Sequence, residues 1–339
     1  MLAAFMKRYG RDALQLDQLP IPTTESLQAG EVLIRVHAVS LQPADYKTRD
    51  GSVQSLRGTP TESSPRGIGY DFSGTILELS PNGGTNAFKV GDAVFGISTY
   101  GALSTHTIAH VDHLAKKPDN VSFPHAAAIV TAGLTAWQTF EYAKAKAGTV
   151  DKVFITAGAG GVGHIAIQLA KNVFDVKTVA TTASAAKHDL VRNCGADVIV
   201  DYQKKGNDGD FVKVLGAKAY DLALESTGEK GKCKQVVRPG GAVVSLLGIP
   251  DGDMLCKVVH AYHMPDSARP PGFVYGLLNC VAWVGDAGHL AKLGECVSNG
   301  KVKVTIDRVY PLEQVMDAFL VECMKGACAE VDQVNPLRT

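Results

Sequence analysis

The chain has 339 residues, 45% of them hydrophobic and 20% charged, with Lys plus Arg equal to Asp plus Glu at 34 each. That length predicts two domains with separate cores, and the balanced charge offers no global field to draw nucleic acid or an anionic membrane. No apolar run approaches the roughly 20 residues that cross a bilayer, so a soluble protein is expected.

The opening MLAAFMKRYG lacks the apolar core and cleavage site of a secretory signal and reads as a first strand. Up to about residue 120, short β-rich runs are punctuated by glycine and proline: EVLIRVHAVSL, DFSGTILEL, the turn SPNGG, VGDAVFGI and LSTHTIAHV. They predict a small, largely antiparallel β domain. After KKPDNVSFP the texture changes, since AAAIVTAGLTAWQTFEYA has helical apolar spacing. From Lys152 strands and helices alternate: KVFIT, a helix from about Gly161 to Asn172, KTVATT, a helix over AAKHDLVRNCG, DVIVDY, YDLALEST, a helix over KCKQVVR, and GGAVVSLLG. Such alternation predicts an α/β fold, a doubly wound parallel sheet with crossover helices. Near Gly300 the pattern shifts to VKVTIDRVY and the amphipathic LEQVMDAFLVECM, read as a return to the first domain. The expected division is therefore 1–122 with 290–339, and 123–289.

Between the run VFI and the helix, TAGAGGVGHIAIQLAK satisfies G-x-G-x-x-G at Gly158, Gly160 and Gly163. The first glycine permits a tight turn, the second lets a pyrophosphate approach the backbone, and the third allows close helix–strand packing. Gly158, Ala159, Gly160, Gly161 and Val162 are thus expected at the phosphates of a dinucleotide. The end of the next strand selects the dinucleotide. An NAD enzyme usually places an acid there, whereas ATTASAAK has Thr182, Ser184 and Lys187 and no acid before Asp189. Hydroxyls and an ammonium favour a 2′-phosphate, hence NADPH.

Other patterns point away from other chemistries. The seven cysteines are scattered, odd in number and never spaced C-x-x-C, which suits reduced thiols in a cytosolic compartment rather than disulfides or a zinc ribbon. His106, His110 and His113 invite a metal reading, but on the expected strand His106 and His110 stand about 13 Å apart. Tyr142 and Lys146 spell Y-x-x-x-K ahead of the glycine loop and read as a helix C-terminus whose lysines complement the dipole. There is no G-x-S-x-G elbow and no lysine completing a Walker loop.

Distributed motifs over roughly residues 1 to 320 resemble the zinc-independent quinone oxidoreductase, zeta-crystallin-like branch of the medium-chain dehydrogenase/reductase superfamily. They are LQPADYKTR, GYDFSGTI, VGDAVFGI, AAAIVTAGLTAW, the AGAGGVG loop, GADVIVDY, RPGGAVVSLLG and GKVKVTIDRVYPLEQVMDAF. The resemblance implies a GroES-like catalytic domain, a Rossmann domain that binds NADPH, a substrate cleft between them, and a homodimer. It places Lys187 and Tyr202 at the 2′-phosphate, Thr131 at the nicotinamide, and Thr227, Gly248, Phe273 and Val274 along the cofactor cleft. Where zinc-dependent relatives carry catalytic metal ligands, this chain aligns Gln42, Tyr70 and Ala128, and the four-cysteine structural lobe is missing, so no zinc is expected.

Hydride transfer without a metal suits acceptors that delocalise the incoming charge. The expected activity is reduction of a quinone by NADPH beside Gln42, Lys47 and Tyr70. The alternatives are reduction of an enone or alkenal, and a cofactor-binding structural or interaction protein of low turnover. Two departures stand out: Gln42 replaces the family's usual asparagine, and the C-terminal GACAEVDQVNPLRT is expected to alter the closing strand.

Overall fold

The computed structural model describes residues 1–52, 59–98, 100–247, 255–258, 280–282, 286–319 and 329–332. Backbone packing divides the chain into two units: Met1–Thr131 with Gly285–Ser298 and Val304–Thr339, and Ala132–Val284 with Asn299–Lys303. Among the described residues, no helix is long and apolar enough to cross a membrane.

The first unit is organised around strand Glu31–Ser40. Its consecutive apolar residues follow from coverage on both faces. Val32, Ile34 and Val36 enter the main core with Phe72, Ile76, Val94 and Leu103, while Leu33 joins a smaller cluster with Leu27 and Ile108. One edge pairs antiparallel with Asp71–Leu79, from Val32↔Leu79 to Ser40↔Asp71. The opposite edge is shared, Glu31 to Arg35 pairing with His106–His110 and Ala38 to Ser40 with Ala329–Asp332. The closing strand expected to be altered therefore forms, and it also pairs in parallel with Arg308–Pro311. Ala93–Ile97 and Leu114–Lys116 extend the sheet beyond Asp71–Leu79. Leu14–Gln18, Leu2–Met6 and Arg66–Gly67 make a three-stranded sheet.

In the second unit every pairing of the main sheet is parallel. Its order is Val198–Val200, Thr178–Thr182, Lys152–Ile155, Tyr220–Glu225, Val237–Ser245, Leu255–Val258, Cys280–Ala282. The order turns back between Lys152–Ile155 and Tyr220–Glu225, the first and fourth strands of this sheet along the chain, and the carboxyl ends there form the crevice where such sheets bind ligands. Val153, Phe154 and Ile155 are wholly buried, as a strand covered on both faces requires. The following helix, Gly161–Asn172, buries Ile165, Ala166, Ile167, Leu169 and Ala170.

One segment differs from its sequence pattern. The helical run after Phe123 is interrupted, giving Phe123–Ala128 and Val130–Ala147 on either side of Ile129. The Thr131 N–H, which a continuous helix would give to a carbonyl four residues back, goes instead to the Asp71 carboxylate. The end of VKVTIDRVY and the proline after it form the strand Arg308–Pro311. Ahead of it, the Lys303 N–H and carbonyl pair with the Gln168 side-chain amide at 2.8 and 2.9 Å, so a side chain stands in for a neighbouring strand.

At the amino-terminal edge of the parallel sheet Asp221 accepts the N–H groups of Asp151 and Lys152, both at 2.8 Å, and pairs with Arg238. Burial alone would raise its pKa, but the hydrogen bond from Arg238, those two N–H groups and the Arg238 charge hold it below the ordinary 3.8. Its folded pKa being depressed, this stabilisation is present above the unfolded pKa and is lost as pH falls through the folded one. Asp221→Asn should lower the unfolding free energy at neutral pH by about 1–2 kcal/mol. Urea titrations at neutral and acid pH check this; a gap from the parent that fails to narrow in acid contradicts the assignment.

Candidate active site

Helix Pro43–Asp50 starts at Gln42, has proline in its first turn and ends at Gly51, whose φ of 86° is the left-handed stop that glycine permits. Asp45 anchors it. One carboxylate oxygen accepts the Gln42 N–H at 2.9 Å and the other the Gly69 N–H at 3.1 Å. The start of the helix is thereby tied to the segment that carries Tyr70 and Asp71.

At this junction the side chains of Gln42, Asp71 and Thr131 converge, all buried. The Gln42 amide nitrogen donates to Asp71 Oδ1 at 3.0 Å and to Thr131 Oγ1 at 2.8 Å. The Thr131 hydroxyl donates to Asp71 Oδ1 at 2.6 Å, and its N–H to Oδ2 at 2.9 Å. Burial pushes the Asp71 carboxyl well above the usual range; the hydrogen bonds from Thr131 oppose this, and the Asp45 charge adds to it. The result is a buried acid whose charged form burial disfavours and three donors support. The Tyr70 phenol, also buried, shares a 2.9 Å hydrogen bond with the Thr48 hydroxyl. Lys47 lies half-buried one position earlier on the same helix. Of the three expected catalytic residues, the structure sets Gln42 against Thr131 and Tyr70 against Thr48.

Zinc does not fit here. The positions aligned with metal ligands offer an amide already donating to two oxygens, a phenol paired with a threonine, and the methyl of Ala128. None is the thiolate or imidazole that zinc selects. Among the described residues, no group of three or more His, Cys, Asp or Glu side chains could hold a metal.

In the second unit the glycine loop separates the three glycine roles by space. A Cβ on Gly158 would meet Thr181 Oγ1 at 2.0 Å, and one on Gly163 would meet the Ala157 carbonyl at 2.2 Å; both glycines let segments pack closely. A Cβ on Gly160 would meet the Ala157 carbonyl at 3.1 Å and little else, which leaves this side for a ligand. Gly160 is also the N-cap of helix Gly161–Asn172, whose first N–H groups, those of Gly161 and Val162 among them, favour an anion. The loop fits a dinucleotide pyrophosphate. Thr182 is buried and its hydroxyl accepts the Ala157 N–H at 2.9 Å, holding Ala157 at φ 51°. His164 Nδ1 donates to the Gly160 carbonyl at 2.8 Å, and burial lowers its pKa against the backbone hydrogen bonds at Gly160 and Gly161, which raise it.

Ser184, Lys187 and Tyr202 follow the carboxyl ends of the neighbouring parallel strands Thr178–Thr182 and Val198–Val200. Lys187 and Tyr202 are exposed, Ser184 half-buried, and among the described residues Lys187 makes no ion pair. Thr227, exposed after strand Tyr220–Glu225, gives its N–H to Glu225 at 2.6 Å. Gly248, Phe273 and Val274 lie outside the described residues. Sequence reasoning missed Asp71 and Glu225. The signal was present in GYDFSGTI and DLALEST, each an acid at the end of an apolar strand, where a charge persists only if donors surround it.

The alcohol dehydrogenase GroES-like domain family matches residues 28–119, and a family described as zinc-binding dehydrogenase matches residues 194–321. The chain is 31% identical over 320 residues to the 2-methylene-furan-3-one reductase of Solanum lycopersicum, covering 91% of this chain and 72% of that protein. It is 32% identical over 322 residues to the chloroplastic NADPH-dependent alkenal/one oxidoreductase of Arabidopsis thaliana, covering 91% and 73%. Among solved structures, the quinone oxidoreductase from Coxiella burnetii superposes with a TM-score of 0.74 at 29% identity, over 99% of both chains.

The glycine geometry predicts a separation of effects. Gly163→Ala must displace backbone and should lower stability by about 1–3 kcal/mol, whereas Gly160→Ala should melt near the parent temperature yet weaken binding of a nicotinamide dinucleotide. Thermal unfolding and cofactor titration of both variants check this, and intact binding by a folded Gly160→Ala contradicts the phosphate assignment.

Proposed function

The chain belongs to the medium-chain dehydrogenase/reductase superfamily, and from that premise we propose that it is an NADPH-dependent reductase of quinones, with conjugated enones and alkenals as the alternative acceptors. As a member it is an oxidoreductase; the acceptor and the preference for NADPH are the finer reading. One observation carries that reading. The amide, carboxyl and hydroxyl of Gln42, Asp71 and Thr131 hydrogen-bond to one another, and Gln42 stands where the resemblance aligns a metal ligand of zinc-dependent relatives.

Without a Lewis acid, a simple alcohol loses the metal that would stabilise its alkoxide, and a simple carbonyl loses the same polarisation. A quinone or conjugated enone spreads the incoming charge over its own π system. NADPH, when bound, supplies the hydride. The chain's residues do the rest by binding and positioning. The glycine loop takes the pyrophosphate; Ser184, Lys187 and Tyr202 take the 2′-phosphate; Thr227, Gly248, Phe273 and Val274 edge the cofactor; Thr131 and Gln42 orient the nicotinamide end; Lys47 and Tyr70 line the acceptor site. Quinone oxygens draw their protons from solvent. An enone needs a proton at its α-carbon, for which Lys47 and Tyr70 are the routes in this reading.

Quinone chemistry draws support from the Coxiella burnetii structure, and enone chemistry from the tomato and Arabidopsis relatives. The cytosolic compartment and the homodimer belong to the same proposal, resting on the scattered thiols and on the resemblance.

Following NADPH oxidation against an ortho-quinone, a para-quinone and a conjugated enal, with NADH as control, tests the reading. Turnover of at least one acceptor is expected, and tight NADPH binding with none turned over would favour a binding protein. Lys187→Glu should weaken NADPH at least about tenfold more than NADH, the equivalent of a lost charge-assisted contact. Equal loss of both would sink the 2′-phosphate assignment.

A further inference from the structure

Glu225 ends the strand that borders the ligand crevice of the parallel sheet, and neither it nor Ser245 exposes any surface. One carboxylate oxygen, Oε1, accepts backbone N–H groups from Thr227 at 2.6 Å, from Gly228, and from Glu229 at 3.0 Å. The Thr227 hydroxyl reaches the same oxygen at 3.3 Å. The other oxygen accepts the Ser245 hydroxyl at 2.7 Å, and Ser245 Oγ accepts the Leu247 N–H at 3.2 Å. Next to Glu225, the Ser226 N–H donates to Thr156 Oγ1 at 2.8 Å, and Thr156 leads directly into the glycine loop.

One buried carboxylate thus gathers the segments leaving two neighbouring strands, and the adjacent Ser226 ties them to a third. All three are carboxyl ends, two of them at the reversal of strand order and the third next to it. A carboxylate sealed from water persists only where donors satisfy it, and here the donors are the backbone of the segment that presents Thr227. We infer that Glu225, with Ser245, is a positioning residue for the reductant: it holds Ser226 to Glu229 and Leu246 to Leu247 in the shape that receives the cofactor before the cofactor arrives. The inference rests on the reading that the chain binds NADPH. Preorganisation of this kind appears as affinity, because ordering done in advance is not charged to binding.

The sheet supplies its own control. Asp221 is a carboxylate on the same strand that likewise gathers two backbone N–H groups, but at the opposite edge. Direct titration of NADPH, with no acceptor present, compares Glu225→Gln, Ser245→Ala and Asp221→Asn with the parent, each beside a thermal melt. Glu225→Gln keeps the shape and removes the charge that three N–H groups share. Its Kd for NADPH should rise roughly tenfold, as expected for a lost charge-assisted hydrogen bond, and Ser245→Ala should shift it in the same direction by less. Asp221→Asn should lower the melting temperature and leave Kd unchanged. In turnover, Glu225→Gln should raise KM for NADPH with kcat within about twofold of the parent.

A folded Glu225→Gln that binds as tightly as the parent overturns the inference alone, as does an equal loss of affinity in Asp221→Asn. Should Glu225→Gln fail to fold, Ser245→Ala decides, and unchanged binding there overturns it. A parent protein that binds no NADPH removes the functional reading and the inference together.

Discussion

A carboxylate taken out of water must be surrounded by donors, and that requirement shapes this chain wherever segments meet. Asp45 joins the start of a helix to Gly69. Asp71 holds Gln42 and Thr131, Asp221 holds Asp151 and Lys152, and Glu225 holds the turn after its own strand. In each case at least one partner is a backbone N–H that the local secondary structure leaves unused. The acids sit at strand ends and helix starts because unused N–H groups are found there. Regular structure supplies the layers, and these four side chains fix where the layers stop.

The two units use this requirement differently. In the first, the donors around Asp71 are largely side chains, so the group stays chemically versatile, with an acid, an amide and a hydroxyl within hydrogen-bonding distance of one another. In the second, Glu225 is met mainly by main chain, which makes its surroundings a matter of shape. In the proposed function, the first arrangement meets the acceptor and the second holds the cofactor. Fold membership alone would not have distinguished them.

Much of the fold was legible in the sequence because glycines and apolar alternation mark where elements begin and end. The helix after the glycine loop runs from Gly161 to Asn172, as its pattern predicted, since Gly160 is a cap and the apolar spacing stops at Asn172. The parallel sheet was readable from the alternation of strands with helices. The break at Ile129 was not, because its cause lies about sixty residues away in the Asp71 carboxylate. The backbone partner of Lys303 is a glutamine side chain that no local pattern marks. At the candidate site, the glycine loop was expected from spacing, and Gln42 and Tyr70 from motif position. Asp71 and Glu225 could not be ranked among many acids until burial and donors were known.

The glutamine that replaces a strand has its own consequence for how this sequence can drift. Gln168 recognises Lys303 through its main-chain N–H and carbonyl, with the lysine side chain taking no part in those two bonds. Almost any residue could therefore stand at position 303 and preserve them. Proline, which has no N–H, is the exception. At that point the chain remembers a register rather than an identity, and the exposed side chain is left for selection to rewrite.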